Sequence, residues 1–183
     1  MVEKGNRAMK ILKKTLKWIL LSIPVLVIAF FLYIVSLFTI PSIENDIVLN
    51  NFSQQLYQIK LPSTKVIETY STCGNLSGTG NGMDFLASVL IETDLTYKEL
   101  KVECEKKKIK QAKPGAAMQY GGYRDESYPV SIDIVNVEDE NQSIDDDGHI
   151  KFKSLENLDD YSRYYALVIC DGGYYAGGDL RGH

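Results

Sequence analysis

The chain has 183 residues and a net charge of −4, which hides an asymmetry: residues 1–17 carry six Lys or Arg against one Glu, net +5, leaving −9 for the remainder, from 14 basic and 23 acidic residues. So acidic a remainder argues against nucleic acid as a partner, because neutralising phosphates needs the opposite sign. With two histidines and no Cys-x-x-Cys there is no zinc cluster in the pattern, and neither a metal nor a cofactor is expected.

Trp18 to Ile40, WILLSIPVLVIAFFLYIVSLFTI, is a run of 23 residues without a charge. As a helix rising about 1.5 Å per residue it reaches roughly 35 Å, enough to cross a hydrocarbon core of about 30 Å with some tilt. The basic residues precede this run, while Pro41 to Ile59 contains no Lys or Arg. By the positive-inside rule the N-terminus is cytoplasmic and residues 41–183 are outside, at the cell membrane. A cleaved signal peptide shares the basic start, but its apolar core is only about 7–15 residues long and ends in an Ala-x-Ala-like site. Phe38-Thr39-Ile40-Pro41 offers no such site, and no Cys directly follows the span to accept a lipid, so an uncleaved single-pass signal anchor is expected. Pro24 inside the span is tolerated where the freed carbonyl finds a partner, and Trp18 suits the inner aromatic belt.

Beyond Pro41, Ile43, Ile47, Phe52, Leu56 and Ile59 recur every three to five residues. That spacing predicts a short amphipathic helix over residues 48–58, ended by Leu61-Pro62 and packed on the domain as a stalk. Leu61-Pro62-Ser63-Thr64 has the look of a sortase signal, but Lys65 stands where Gly is needed and a whole domain follows. Residues 66–71 and 83–91 alternate and predict two strands; the glycine-rich segment Cys73 to Gly82 between them, with Asn81-Gly82, reads as a hairpin turn. Gly78, Gly80 and Gly82 also suggest a phosphate cradle, yet such cradles open a helix and this one opens a strand.

Thr96-Tyr97-Lys98-Glu99 is a capping box, with Leu95 placed to staple onto Leu100. Tyr97, Leu100 and Cys104 then share a helix face, which predicts Cys104 in the core. Lys106, Lys107, Lys108, Lys110 and Lys113 complement the dipole at the helix end; the same cluster would suit anionic envelope polymers or outer-leaflet headgroups. Residues 109–112 predict a short strand broken by Pro114-Gly115, Tyr120 to Tyr123 a loop, and Val130, Ile132, Ile134 and Val137 another strand. Asp145-Asp146-Asp147-Gly148 raises calcium, but with Gly148 at the sixth position of an EF-hand loop the first and twelfth fall on Ser143 and Ser154. An acidic turn leading into a strand over residues 149–153 is the expectation instead.

Residues 164–171 are apolar on both faces, with Tyr164, Ala166, Val168 and Cys170 on one of them, and make the best central strand. Gly172-Gly173 reads as a hairpin turn with Tyr174-Tyr175-Ala176 returning from it. The density of tyrosines from Tyr120 onward suits a glycan- or peptide-binding face as well as sheet packing. Cys73, Cys104 and Cys170 allow three single disulfide pairings, with Cys104 and Cys170 both predicted to face the core. Cys73 and His183 could form a nucleophilic pair, although no motif brings them together.

The order Leu61-Pro62 and Thr64 before a strand, Gly78-Thr79-Gly80-Asn81-Gly82-Met83 before the next, the capped helix at Thr96 and the ending Asp179-Leu180-Arg181-Gly182-His183 resembles an uncharacterised group of small membrane-anchored extracytoplasmic proteins of Gram-positive bacteria. The resemblance covers roughly residues 60–183 and implies one N-terminal span, an exported α+β domain and no activity that can be carried over. It implies aromatics where this chain has Cys104 and Cys170, which argues against an essential thiol.

The fold class expected is α+β: one N-terminal transmembrane helix, then a single domain with an antiparallel sheet of five to seven strands and one or two helices packed on it. The divisions are a basic tail at 1–17, the span at 18–40, a juxtamembrane helical linker at 41–62 and the extracytoplasmic domain at 63–183. Two functions suit this pattern. The first is a non-catalytic binding or sensing module of the cell envelope that contacts a protein, peptide or anionic wall polymer through Gly78, Gly80, Asn81, Gly82, Tyr174, Tyr175 and Arg181. The second is a small exported hydrolase using Asp179, Arg181 and His183, a set charged enough for acid–base work and equally able to pin the chain's end to the core.

Overall fold

The computed structural model describes residues 2–78, 82–116, 118, 129–138, 144, 150–156 and 158–183, with residues 2–12 described by their backbone alone. The chain divides into two compact units, Met1–Ile40 and Pro41–His183.

In place of a span and a separate short helix, one helix, α1, runs from Val2 to Tyr57 through both Pro24 and Pro41. A proline removes one backbone donor and costs a helix dearly, but the flanking apolar run supplies enough uninterrupted turns on either side to carry it through. In the first unit every side chain from Trp18 to Ile40 except that of Ser36 is exposed. The hydroxyls of Ser22, Ser36 and Thr39 donate back to the carbonyls of Ile19, Tyr33 and Val35 at 2.7–2.8 Å, so these three hydroxyls are satisfied within the helix itself. Among the described residues this is one helix long and apolar enough to cross a membrane.

The second unit is α+β. After the end of α1 come strand β1 (Thr64–Gly74), strand β2 (Gly82–Thr93), helix α2 (Tyr97–Glu105), strand β3 (Asp133–Asn136) and strand β4 (Tyr164–Tyr175). The strands form one antiparallel sheet in the order β1-β2-β4-β3. Four strands are present among the described residues where five to seven were expected. Residues 109–112 contribute only a single bridge, Ile109 to Val130, and residues 151–155 form no strand but lead into a 3-10 turn at Lys153–Leu155. Residues 120–123, 139–140 and 145–149, which include the acidic runs and His149, lie outside the described residues.

β2 and β4 are the inner strands, apolar on both faces because both faces are covered. On one face Phe85, Val89, Leu167 and Ile169 meet Phe52 and Leu56 of α1 and Leu100 and Cys104 of α2. On the other, Leu86, Leu90, Ala166 and Val168 lie under Val137, Ile144, Ile150, Phe152 and Leu155. The capping box at Thr96 is formed in both directions, and Leu95 and Leu100 join the same cluster.

Three side-chain expectations are corrected. Tyr97 does not share the buried face of α2 and is 46 % exposed, and Cys170 is exposed rather than core-facing. On α1 the buried stripe past Pro41 is Asn45, Phe52, Ser53 and Leu56, with Val48 and Leu49 packed beside it, whereas Ile43 and Ile47 are exposed. The sequence spacing of the isoleucines mixed two faces, because a buried asparagine holds the place an apolar residue would mark.

The Gly172-Gly173 hairpin is also overturned. β4 continues through both glycines to Tyr175, which pairs with Gly82, and the two glycines together face Asp84, a bulge. A Cβ on Gly172 would sit 2.0 Å from Asp84 Oδ1, while Gly173 has φ +80° and donates its N–H to that oxygen at 2.7 Å. The carboxylate of the facing strand occupies the space that a turn would have used.

Candidate functional site

The Asp179-x-Arg181-x-His183 set sits where β4 ends and a 3-10 turn, Leu180–Gly182, begins. Asp179 caps that turn and is fully buried. Its Oδ1 accepts from Ser42 Oγ at 3.1 Å, Arg181 N at 3.1 Å and Arg181 Nε at 3.0 Å; its Oδ2 accepts from Asn45 Nδ2 at 2.8 Å and Arg181 Nη2 at 2.7 Å. Burial would raise the Asp179 carboxyl, but hydrogen bonds from Arg181 and Asn45 and the guanidinium charge outweigh it and hold the group far below the usual carboxylate range.

Arg181 is tied to three elements while part of its side chain stays exposed. Its guanidinium also reaches the Asp46 carboxylate and the Ser42 carbonyl, the latter at 3.0 Å, and its own carbonyl accepts from Asn75 N at 2.8 Å. The hydrogen bonds to Asp179 push its pKa up. Asn45 extends the network: its Oδ1 accepts from the ammonium of Lys113, which lies 5.5 Å from the Phe85 ring centroid. Desolvation lowers the Lys113 pKa, against the raising influence of Glu44 and Asp179. Lys113, one of the lysines assigned by sequence to a basic cluster, therefore turns inward.

A chain of alternating partners thus runs from Lys113 through Asn45, Asp179 and Arg181 to Asp46. Such an arrangement locks α1 to the far end of β4, with five donors converging on the Asp179 carboxylate. His183 stands apart, exposed, with Nε2 3.3 Å from the Gly177 carbonyl.

The glycine-rich segment shows a second internal anion site. Asp84 Oδ2 accepts from Leu76 N at 3.1 Å, Ser77 N at 3.0 Å and Ser77 Oγ at 3.0 Å, so the amides that a phosphate would seek face a carboxylate of the same chain. Gly78, at φ +64°, is exposed with open space around it, and Gly82 is buried. Gly80 and Asn81 lie outside the described residues. Tyr174 is fully buried, its hydroxyl on Asp171 Oδ2 and its ring edge-on to Phe85, so it has no surface to offer a ligand. Tyr175 is 61 % exposed.

The three cysteines are thiols and none forms a disulfide. Cys104 is buried and desolvation pushes its pKa up to about 11; Cys73 is buried and raised by the same cause, with Arg181 and Lys113 pulling the other way. Neither is a thiolate at neutral pH. A groove of about 390 Å³ lies between α2 and Pro129–Ile134, lined by Lys101, Cys104, Lys107, Val130 and Ile132 among others.

The residues that sequence reasoning missed are Ser42, Asn45, Asp46 and Asp84. None of them left a signal, because each takes its role from partners far away in sequence. Comparison with protein-family models, with curated proteins and with solved structures finds no match to this chain.

Proposed function

We propose that this chain is a single-pass membrane protein whose lysine-rich start faces the cytoplasm and whose α+β unit stands outside the cell membrane, where it serves as a non-catalytic binding or sensing module of the envelope. The observation that carries this reading is the exposed apolar stretch of α1 from Trp18 to Ile40, with six basic residues before it and none from Pro41 to Ile59. The non-catalytic part is supported by Asp179, Arg181 and Asp84, whose polar atoms are committed to one another and to backbone amides. We place the chain with the small membrane-anchored proteins of Gram-positive bacteria on the order of its motifs.

Among partners, an anionic wall polymer is favoured. Lys98, Lys101, Lys106, Lys108 and Lys110 are exposed on and just after α2, a basic region in an otherwise acidic unit. Lys106 pairs with Glu103, and the others retain a field that multivalent phosphate would meet.

Protease added to intact cells tests the topology. It is expected to digest the α+β unit and leave the lysine-rich start protected; protection of the unit with loss of the start would overturn the reading. Retention of the detergent-solubilised chain on immobilised wall polymer, lost in high salt, tests the partner.

A further inference from the structure

We infer that the Leu180–Gly182 turn, together with Ile43, forms a second contact with lipid, at the headgroup layer of the bilayer that α1 crosses. This rests on the membrane-anchor reading and adds to it a surface built from two stretches of chain far apart in sequence.

Ser42 follows Ile40, the last residue of the apolar run, by two residues, so no more than about 7 Å of chain separates them at roughly 3.6 Å per residue. The headgroup region adds about 5–7 Å to each side of the hydrocarbon core. The Ser42 carbonyl and the first turn after the span therefore lie inside that layer. Arg181 Nη2 is 3.0 Å from this carbonyl, Asp179 Oδ1 is 3.1 Å from the Ser42 hydroxyl, and Leu180 stands between the two. A residue 140 positions away is thereby brought to the same level.

The chemistry of the spot matches. Leu180 is 67 % exposed and Ile43 52 % exposed, two large apolar side chains turned outward at the level where water gives way to lipid. The charges beside them cancel closely: Arg181 and Lys113 stand against Glu44, Asp46 and Asp179, with the ion pairs of Arg181 already formed. Insertion of the apolar side chains, rather than attraction to anionic lipid, drives the contact, so it is expected to be insensitive to salt.

Trp18 is the chain's single tryptophan, which permits a direct test. Leu180→Trp and Val66→Trp are each made on a Trp18→Phe background, and the full chains, with wild type, are reconstituted in phosphatidylcholine vesicles containing lipid brominated high in the acyl chain. Val66 is 45 % exposed and lies eight residues along β1 from Gly74, whose neighbour Asn75 holds Arg181; at about 3.3 Å per residue that is roughly 26 Å away. The tryptophan at 180 is expected to be quenched about twofold with a blue-shifted emission, as an interfacial side chain would be, while that at 66 emits as if in water. Equal emission from the two positions, whether both quenched or both unquenched, overturns the inference while quenching of Trp18 in wild type upholds the anchor. Loss of quenching at Trp18 itself overturns the anchor, and the inference with it.

Discussion

Asn45 Nδ2 donates to Asp179 Oδ2 at 2.8 Å, a buried hydrogen bond across 134 positions of sequence, while the Asn45 Oδ1 takes the ammonium of Lys113. One amide side chain thus joins α1, the loop after α2 and the turn after β4. Replacing it by Leu keeps the approximate size and removes both bonds, leaving a carboxylate and an ammonium each short of a partner. Asn45→Leu is expected to lower stability by about 2–3 kcal/mol, the value of hydrogen bonds to charged groups. Urea unfolding of the full chain in detergent, followed by circular dichroism of the sheet, measures it.

Acid should act through Asp179. Its carboxyl titrates below the unfolded value, so the folded chain binds that proton less readily than the unfolded one. The stabilisation is fully present above the unfolded carboxylate range, about pH 4, and is lost as pH falls from there toward the folded value. Wild type and Asp179→Asn are therefore expected to differ most near neutrality and to converge as the pH drops below about 4. Unfolding midpoints compared across that window check the sign.

Gly172 and Gly78 make a paired test of space against backbone. A methyl group on Gly172 would meet Asp84 Oδ1 at 2.0 Å, displacing the carboxylate that holds the amides of Leu76, Ser77 and Gly173. Gly172→Ala is expected to cost roughly 2–4 kcal/mol through overpacking and lost hydrogen bonds. Gly78 has open space but φ +64°, so Gly78→Ala should cost only about 1 kcal/mol. Thermal unfolding of the two variants side by side gives the comparison.

Thr96→Ala removes the hydroxyl that accepts from Glu99 N and donates to the Glu99 carboxylate, while the backbone amide of residue 96 keeps its own bond to that carboxylate. Loss of about 1 kcal/mol is expected, as for other N-cap replacements. Hydrogen exchange at the first amides of α2 should accelerate while that of β2 and β4 follows only the global change.

Thiol alkylation in the folded chain should be ordered by burial and ionisation. Cys170 is exposed and reacts first; Cys104, with its pKa near 11, and buried Cys73 react only on unfolding. Mass spectrometry after a short iodoacetamide pulse counts the labels.

The long apolar helix, the capping box and both inner strands were legible because each rests on a local signal: an uncharged run, a hydroxyl three residues before a carboxylate, alternation over residues 83–91 and apolar residues on both faces of 164–171. The Gly172-Gly173 bulge was not, because its cause is Asp84 on another strand. Nor was the role of Asp179 and Arg181, which depends on Ser42, Asn45 and Asp46 arriving from 134 to 139 residues earlier. Charged residues near one another in sequence suggest chemistry; only their distant partners reveal that the carboxylate is already fully engaged.

The clasp between Ser42 and Arg181 also sets an order in time. Ser42 and Asn45 emerge early in synthesis, yet the Asp179 and Arg181 side chains they await come some 140 positions later. Until then Asn45 lacks the carboxylate it donates to, even though Lys113 has already been made. Completion of this unit is therefore a late event, reached only after its whole length has been made.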